Sequence, residues 1–130
     1  MAWNTIPRKD SYTARDTIAV IADKVTDGVD VRNFDTLALL IKATRNSGTE
    51  TLTVYREEAL DGGNFMRMEQ VTIFDGAGLA DYRFDLRRRL WRLAFVPSAA
   101  PCDYSLEINF TVRTRRGKFI DLQNGTWLEV

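Results

Sequence analysis

The sequence predicts an all-β protein: one antiparallel β-sandwich of about eight strands, Ig-like or jelly-roll-like, preceded by an extended N-terminal arm. Three observations predict it. Apolar and polar residues alternate at period two in segment after segment, the spacing of strands rather than of helices. Clusters of Gly, Asn, Asp, Ser and Pro break these segments at short, regular intervals. Only residues 87–95 could compete as a helix, their length and flanks favour a strand, and short strands without intervening helices make sandwiches or small barrels.

Residues 1–16 are polar and irregular, with Pro7 among them and Trp3 and Ile6 as isolated apolar groups, so they are expected to form the arm. Residues 17–130 are expected to form the single domain. Ile18, Val20 and Ala22 alternate with Thr17, Ala19 and Ile21 as far as the Asp27-Gly28 turn. Leu37, Leu39, Ile41 and Ala43 share one face of the next strand, which ends at Asn46-Ser47-Gly48. Leu52, Val54 and Arg56 alternate with Thr51, Thr53 and Tyr55. The turn Asp61-Gly62-Gly63-Asn64 follows, where Gly62 or Gly63 is expected to take positive φ at no steric cost.

Met66 and Met68, then Val71 and Ile73, mark a strand whose phase shifts near Glu69-Gln70, which predicts a β-bulge. After Asp75-Gly76-Ala77-Gly78, Tyr82, Phe84 and Leu86 alternate with Arg83 and Asp85. Residues 90–96 are apolar on both faces apart from Arg92, the pattern of a central strand. A loop from Pro97 to Pro101 leads to the clearest alternation in the chain, Tyr104, Leu106, Ile108, Phe110 and Val112. A last strand piece, residues 119–122, precedes an Asn124-Gly125 turn and Trp127-Leu128. The expected core is Leu39, Ile41, Leu52, Val54, Phe84, Leu93, Ile108 and Phe110.

The 130 residues are 45% apolar and 28% charged, the composition of a globular domain large enough to bury a core. Eighteen basic groups balance eighteen acidic ones, so bulk charge points to neither nucleic acid nor an anionic membrane. The charge is nevertheless segregated along the chain. Residues 1–82 carry a net −4, residues 83–118 a net +6 and the remainder −2, which suits head-to-tail contact between copies. Cys102 is the single cysteine, so no intrachain disulfide forms, in keeping with a reducing compartment. No apolar run approaches the roughly 20 residues of a membrane span, and the first residues lack the apolar stretch of a signal peptide.

Histidine is absent, which removes the usual general base near neutral pH, histidine-dependent nucleophiles and most zinc and copper sites. Glu57 and Glu58, with Asp61, are the densest carboxylates. Adjacent strand residues point to opposite faces, so these are expected to be solvated and not to converge as a glycosidase pair must. The Asp61-Gly62-Gly63-Asn64 segment reads as a hairpin turn ahead of a calcium loop, having few oxygen donors in sequence. Cofactor and metal sites are therefore not expected. Arg87, Arg88, Arg89 and Arg92, with Arg113, Arg115, Arg116 and Lys118, would make one basic patch if their strands pair. Aromatics beside them alternate like core residues, so the patch reads as a solvated or subunit-facing surface rather than a nucleic-acid site.

Several segments resemble small β-sandwich proteins in the virions of tailed bacteriophages. They are the strand Leu37-Ala38-Leu39-Leu40-Ile41, the turn Asn46-Ser47-Gly48-Thr49, the strand 51–58 with its Asp61-Gly62-Gly63-Asn64-Phe65 turn, Leu90-Trp91-Arg92-Leu93-Ala94-Phe95, and the strand 105–112. The likeness covers residues 17–113. It implies a non-enzymatic virion structural protein made in the host cytoplasm, a head decoration, auxiliary capsid or fibre-base protein. The alternatives are a phage tail protein and a carbohydrate-binding module using Trp3, Trp91 or Trp127 as a stacking platform. The expected partners are other copies of the chain, as a homo-oligomer, and other capsid or tail proteins, with no nucleic acid or membrane. The residues expected to make those contacts are Trp3, Ile6, Arg87, Arg88, Arg89, Arg115 and Arg116.

Overall fold

The computed structural model describes residues 11–31, 34–60, 64–86, 88–113, 119–121 and 126–128. They form strands β1 (Ser11–Val20), β2 (Lys24–Val25), β3 (Val29–Asp30), β4 (Thr36–Arg45), β5 (Leu52–Ala59), β6 (Met66–Phe74), β7 (Gly78–Asp85), β8 (Leu90–Pro97), β9 (Tyr104–Arg113), β10 (Phe119–Asp121) and β11 (Thr126–Leu128). Among the described residues no helix is present.

Two antiparallel sheets build the sandwich. Sheet A has the order β1-β9-β4-β7, and sheet B has β2-β8-β5-β6 with β3 also on β8. If β2 and β3 are taken as one interrupted strand, the chain places eight strands in the alternating two-sheet order of a jelly roll. That order decides between the two sandwich types left open by the sequence.

β1 starts earlier than the alternation predicts. It pairs with β9 from Ser11↔Arg113 to Val20↔Tyr104 without a break, so residues 11–16 belong to a sheet edge and not to an arm. Their polarity suits an edge strand, whose one neighbour already satisfies half its backbone groups. Residues 1–10, with Trp3 and Ile6, lie outside the described residues.

β2 and β3 have no sequence signature because each is two residues long. Between them, buried Thr26 continues the ladder by other means: its N–H donates to the Leu93 carbonyl (2.9 Å), and its hydroxyl accepts the Leu93 N–H (3.0 Å). A side-chain oxygen stands where a strand would offer a carbonyl.

The phase shift in β6 comes from two irregularities. The β5–β6 register skips Val71 and then Met68. Val71 thereby packs against the core while Ile73 faces outward at 52% exposure. Gly48 (φ 82°) and Gly76 (φ 106°) take positive φ in turns that the sequence marks. Gly62 and Gly63 lie outside the described residues.

Of the expected core, Leu39, Ile41, Leu52, Val54, Leu93, Ile108 and Phe110 are fully buried. Phe84 is half-buried, because β7 is the edge of sheet A, and it packs against the core from there. Trp91 joins the core from β8, its ring 5.5 Å from Phe110 and 6.3 Å from Phe84 between centroids. β8 lies between β5 and the β2/β3 edge, the central position its two-sided apolarity predicts.

Candidate interaction surface

The charged side chains of sheet B form two groups. On the outer face, Glu57 of β5 lies between Arg67 of β6 and Arg92 of β8. Arg67 Nε and Nη2 donate to Glu57 Oε2 (3.2 and 3.1 Å), and Arg92 Nε donates to Oε1 (2.8 Å). Each guanidinium also covers an aromatic ring, Arg67 that of Tyr55 (4.2 Å) and Arg92 that of Phe65 (4.1 Å). Phe65 reaches across to Gly28, where a Cβ would stand only 2.9 Å from its Cζ. The missing side chain at Gly28 therefore leaves room for the ring.

On the inner face, Glu58 is 3% exposed beside Trp91, its partner across the ladder. Arg56 Nε stands 3.3 Å from Glu58 Oε2, Arg56 Nη2 3.2 Å from Glu69, and Arg88 Nη1 3.6 Å from Glu58 Oε1. The Arg56 guanidinium lies over the Phe84 ring at 4.2 Å. This ionic group plugs one end of the sandwich where the apolar core stops.

These contacts correct the expectation that Glu57 and Glu58 are solvated. They do point to opposite faces, but both are buried, Glu57 neutralised by arginines of β6 and β8 and Glu58 by Arg56 of β5 and Arg88 of the β7–β8 connection. A buried carboxylate persists only with such pairing. Arg56, two residues from Glu58 on the same face of β5, is the one local partner; Arg67, Arg88 and Arg92 come from distant segments, which the local pattern does not show.

The arginine patch is also redrawn. Arg92 is on β8 in sheet B and Arg113 on β9 in sheet A, so the two basic groups are not joined by strand pairing. Arg88 turns toward Glu58, and exposed Arg89 stands 3.4 Å from Asp30 Oδ2. Arg87, Arg115 and Arg116 lie outside the described residues, as do Asp61 and Lys118. Trp91 is wholly buried, which removes it as a stacking platform. Among the described residues no three His, Cys, Asp or Glu side chains gather as metal ligands would.

Both outer faces mix polar and apolar groups. That of sheet A carries Thr17, Thr36, Thr44, Asn109, Lys42 and the Arg15–Glu107 ion pair on adjacent strands, with exposed Leu40 (40%) and Leu79 (68%) among them. That of sheet B has its apolar groups at the end away from the charges. The row Ile73–Thr53–Val96 and the neighbouring Tyr55–Ala94–Val25 carry exposed Ile73 (52%) and Val25 (47%).

Two groups, Arg45 and Cys102, are shifted from their ordinary ionisation. The Arg45 guanidinium is raised chiefly by its hydrogen bond to Asp75 (3.0 Å). The Cys102 thiol is pushed up by burial, with Sγ 3.3 Å from the Val20 carbonyl.

Fold and surface together define a jelly-roll β-sandwich whose described charged clusters are committed to internal pairing. No family model and no curated protein matches the sequence. Among solved structures, the chain is similar to a protein of the Bacillus endospore appendages, a family of disulfide-linked pili. The TM-score is 0.55 at 13% identity, over 84% of this chain and 93% of that one. Eiger TNF from S. frugiperda aligns with a TM-score of 0.48 at 14% identity, over 82% and 94%. At these identities the likeness is one of fold.

Proposed function

We propose that this chain is a non-enzymatic structural subunit that works as one copy among many, and that the assembly it serves is a phage particle. Within the particle, a head decoration or fibre-base role comes first and a tail role second. The observation that carries the structural reading is the fate of the polar side chains. Glu57, Glu58, Arg56, Arg67, Arg88 and Arg92 hold one another, leaving exposed apolar side chains on the outer sheet faces, Leu40 and Leu79 on sheet A and Val25 and Ile73 on sheet B, as the surface open to contact. The endospore-appendage protein forms pili, and a shared jelly roll supports self-assembly here. The chemistry of linkage differs. A disulfide-linked polymer needs at least two cysteines per subunit, and this chain has only the buried Cys102. Its contacts are therefore non-covalent, and reductant leaves them intact.

The test is sedimentation velocity of the purified protein over a hundredfold concentration range, with and without reductant, followed by electron microscopy. Concentration-dependent, reductant-insensitive assembly is the expected result. A monomer at every concentration would remove the structural reading. The phage assignment is tested separately, by protein identification in gradient-purified particles from the cells that carry the gene. Particles lacking the chain would end it.

A further inference from the structure

β7 ends sheet A, and among the described residues β4 is its one neighbour in the sheet. The Leu86 N–H donates to the Asp35 carbonyl (2.7 Å), which continues the β4–β7 ladder past Asp85 and fixes its phase. A strand residue sends its N–H and C=O to one side, and successive residues alternate sides. Phe84, Tyr82 and Ala80 therefore bond to β4, whereas Leu79, Asp81, Arg83 and Asp85 turn their backbone groups to the open edge. The same four residues carry their side chains on the exposed outer face.

The edges of sheet B are blunted in ways that hinder the addition of another strand. β6 has its two register irregularities, and the β2/β3 edge is broken at Thr26. β1, at the other side of sheet A, carries only Arg15 and Asp16 as charges, on opposite faces, and Arg15 is held by Glu107. β7 has no proline, and its register with β4 runs unbroken from Asp85 to Gly78. Its Asp81 and Arg83 side chains make no ion pair or hydrogen bond with another described residue.

Resting on the structural-subunit reading above, we infer that β7 pairs antiparallel with β7 of a second copy, about a two-fold axis that passes beside Tyr82 normal to the sheet. In that register Asp81 stands opposite Arg83 of the second copy, and Arg83 opposite its Asp81, with Cβ atoms roughly 5 Å apart. Sliding the copies by two residues sets Asp81 against Asp81 in one direction and Arg83 against Arg83 in the other. Sliding by four sets Asp81 against Leu79 in one direction and leaves only three residues of overlap in the other. Charge thus selects the register in which the two strands overlap almost completely. On the inner side, Tyr82 meets its own counterpart and Phe84 meets Ala80, which covers two rings that the single copy leaves half-buried. The contact is isologous and joins two four-stranded sheets into one, giving a dimer as the unit that larger assembly repeats.

The experiment compares the full chain with Asp81→Arg, Arg83→Asp and the double variant by sedimentation velocity and thermal melting. The wild type is expected to dimerise at micromolar concentrations. Each single variant sets like charges opposite one another twice, and its dimer Kd is expected to rise about tenfold or more. Below the wild-type Kd, all four proteins are expected to melt alike. An equimolar mixture of the two single variants restores both opposite-charge pairs and is expected to dimerise about as tightly as wild type. The double variant is expected to do so with itself. Amide hydrogen exchange at rising wild-type concentration is expected to slow at Leu79, Asp81, Arg83 and Asp85, whose N–H groups the second copy takes up. Single variants that dimerise like wild type, a mixture that stays monomeric, or exchange at those four amides that ignores concentration would each overturn the edge pairing. These results leave the structural reading standing, whereas a wild type that is monomeric at every concentration removes both.

Discussion

Replacing Tyr104 with Phe isolates a hydroxyl that ties two turns to the core. Tyr104 is completely buried, and its hydroxyl lies 2.8 Å from the Glu50 carbonyl and 3.2 Å from that of Phe74, while accepting the Gly76 N–H at 3.2 Å. It thus clamps the β4–β5 connection and the β6–β7 turn to the start of β9. The substitution keeps the ring and opens almost no cavity, so the loss is one of hydrogen bonding. The Glu50 carbonyl keeps Arg45 Nη1 as a donor at 3.3 Å, which leaves the Gly76 N–H and the Phe74 carbonyl as the groups stranded. At about 1 kcal/mol for each group that water partly reaches, the expected destabilisation is about 2 kcal/mol. For a domain of this size that lowers Tm by roughly 8 °C. Urea denaturation is the assay, and the midpoint is expected to fall while the m value stays constant. Tyr55→Phe is the control, because Tyr55 contacts Arg67 through its ring, and it is expected to cost less than about 0.5 kcal/mol. A Tyr104→Phe protein within about 0.5 kcal/mol of wild type would refute the clamp.

Other perturbations read other parts of the fold. Glu58→Gln leaves Arg56 and Arg88 without their shared carboxylate and is expected to cost about 3 kcal/mol in the same assay. Asp30→Asn, at an exposed pair with Arg89, is expected to cost less than about 1 kcal/mol, and equal effects would contradict the burial contrast. Gly76→Ala forces a Cβ onto a residue at φ 106° and is expected to lower stability by about 1 kcal/mol or more, measured by thermal melt. The raised Cys102 thiol keeps its proton in the folded chain at pH values where the unfolded chain has lost it. Its contribution is therefore fully present below the ordinary thiol range and is lost as pH rises through and beyond it. Wild type should lose stability relative to Cys102→Ala as pH rises through and beyond the ordinary thiol range, and parallel pH profiles would refute the assignment.

The sequence by itself determined the local periodicities. Alternation placed β4, β5, β7 and β9, a run apolar on both faces placed β8, and together they picked out Leu39, Ile41, Leu52, Val54, Leu93, Ile108 and Phe110 as core, because the faces of a strand are written every second residue. Gly48 and Gly76 were legible as turns for an equally local reason, their freedom to take positive φ. Only the tertiary structure decided what depends on distant partners. Ig-like and jelly-roll sandwiches share the same alternation and differ in which edges pair, so strand order was invisible until β9 was seen between β1 and β4. β2 and β3 exist because β8 offers them a ladder, and residues 11–16 are a strand because β9 does. Glu57 and Glu58 look like solvated acids in the chain. They are buried because Arg67 arrives from ten residues away, Arg92 from thirty-five, and Arg56 and Arg88 close on the other face. Burial of a charge is settled by the counter-charges around it, and of these only Arg56, two residues from Glu58, was adjacent in the sequence; the others are brought by folding.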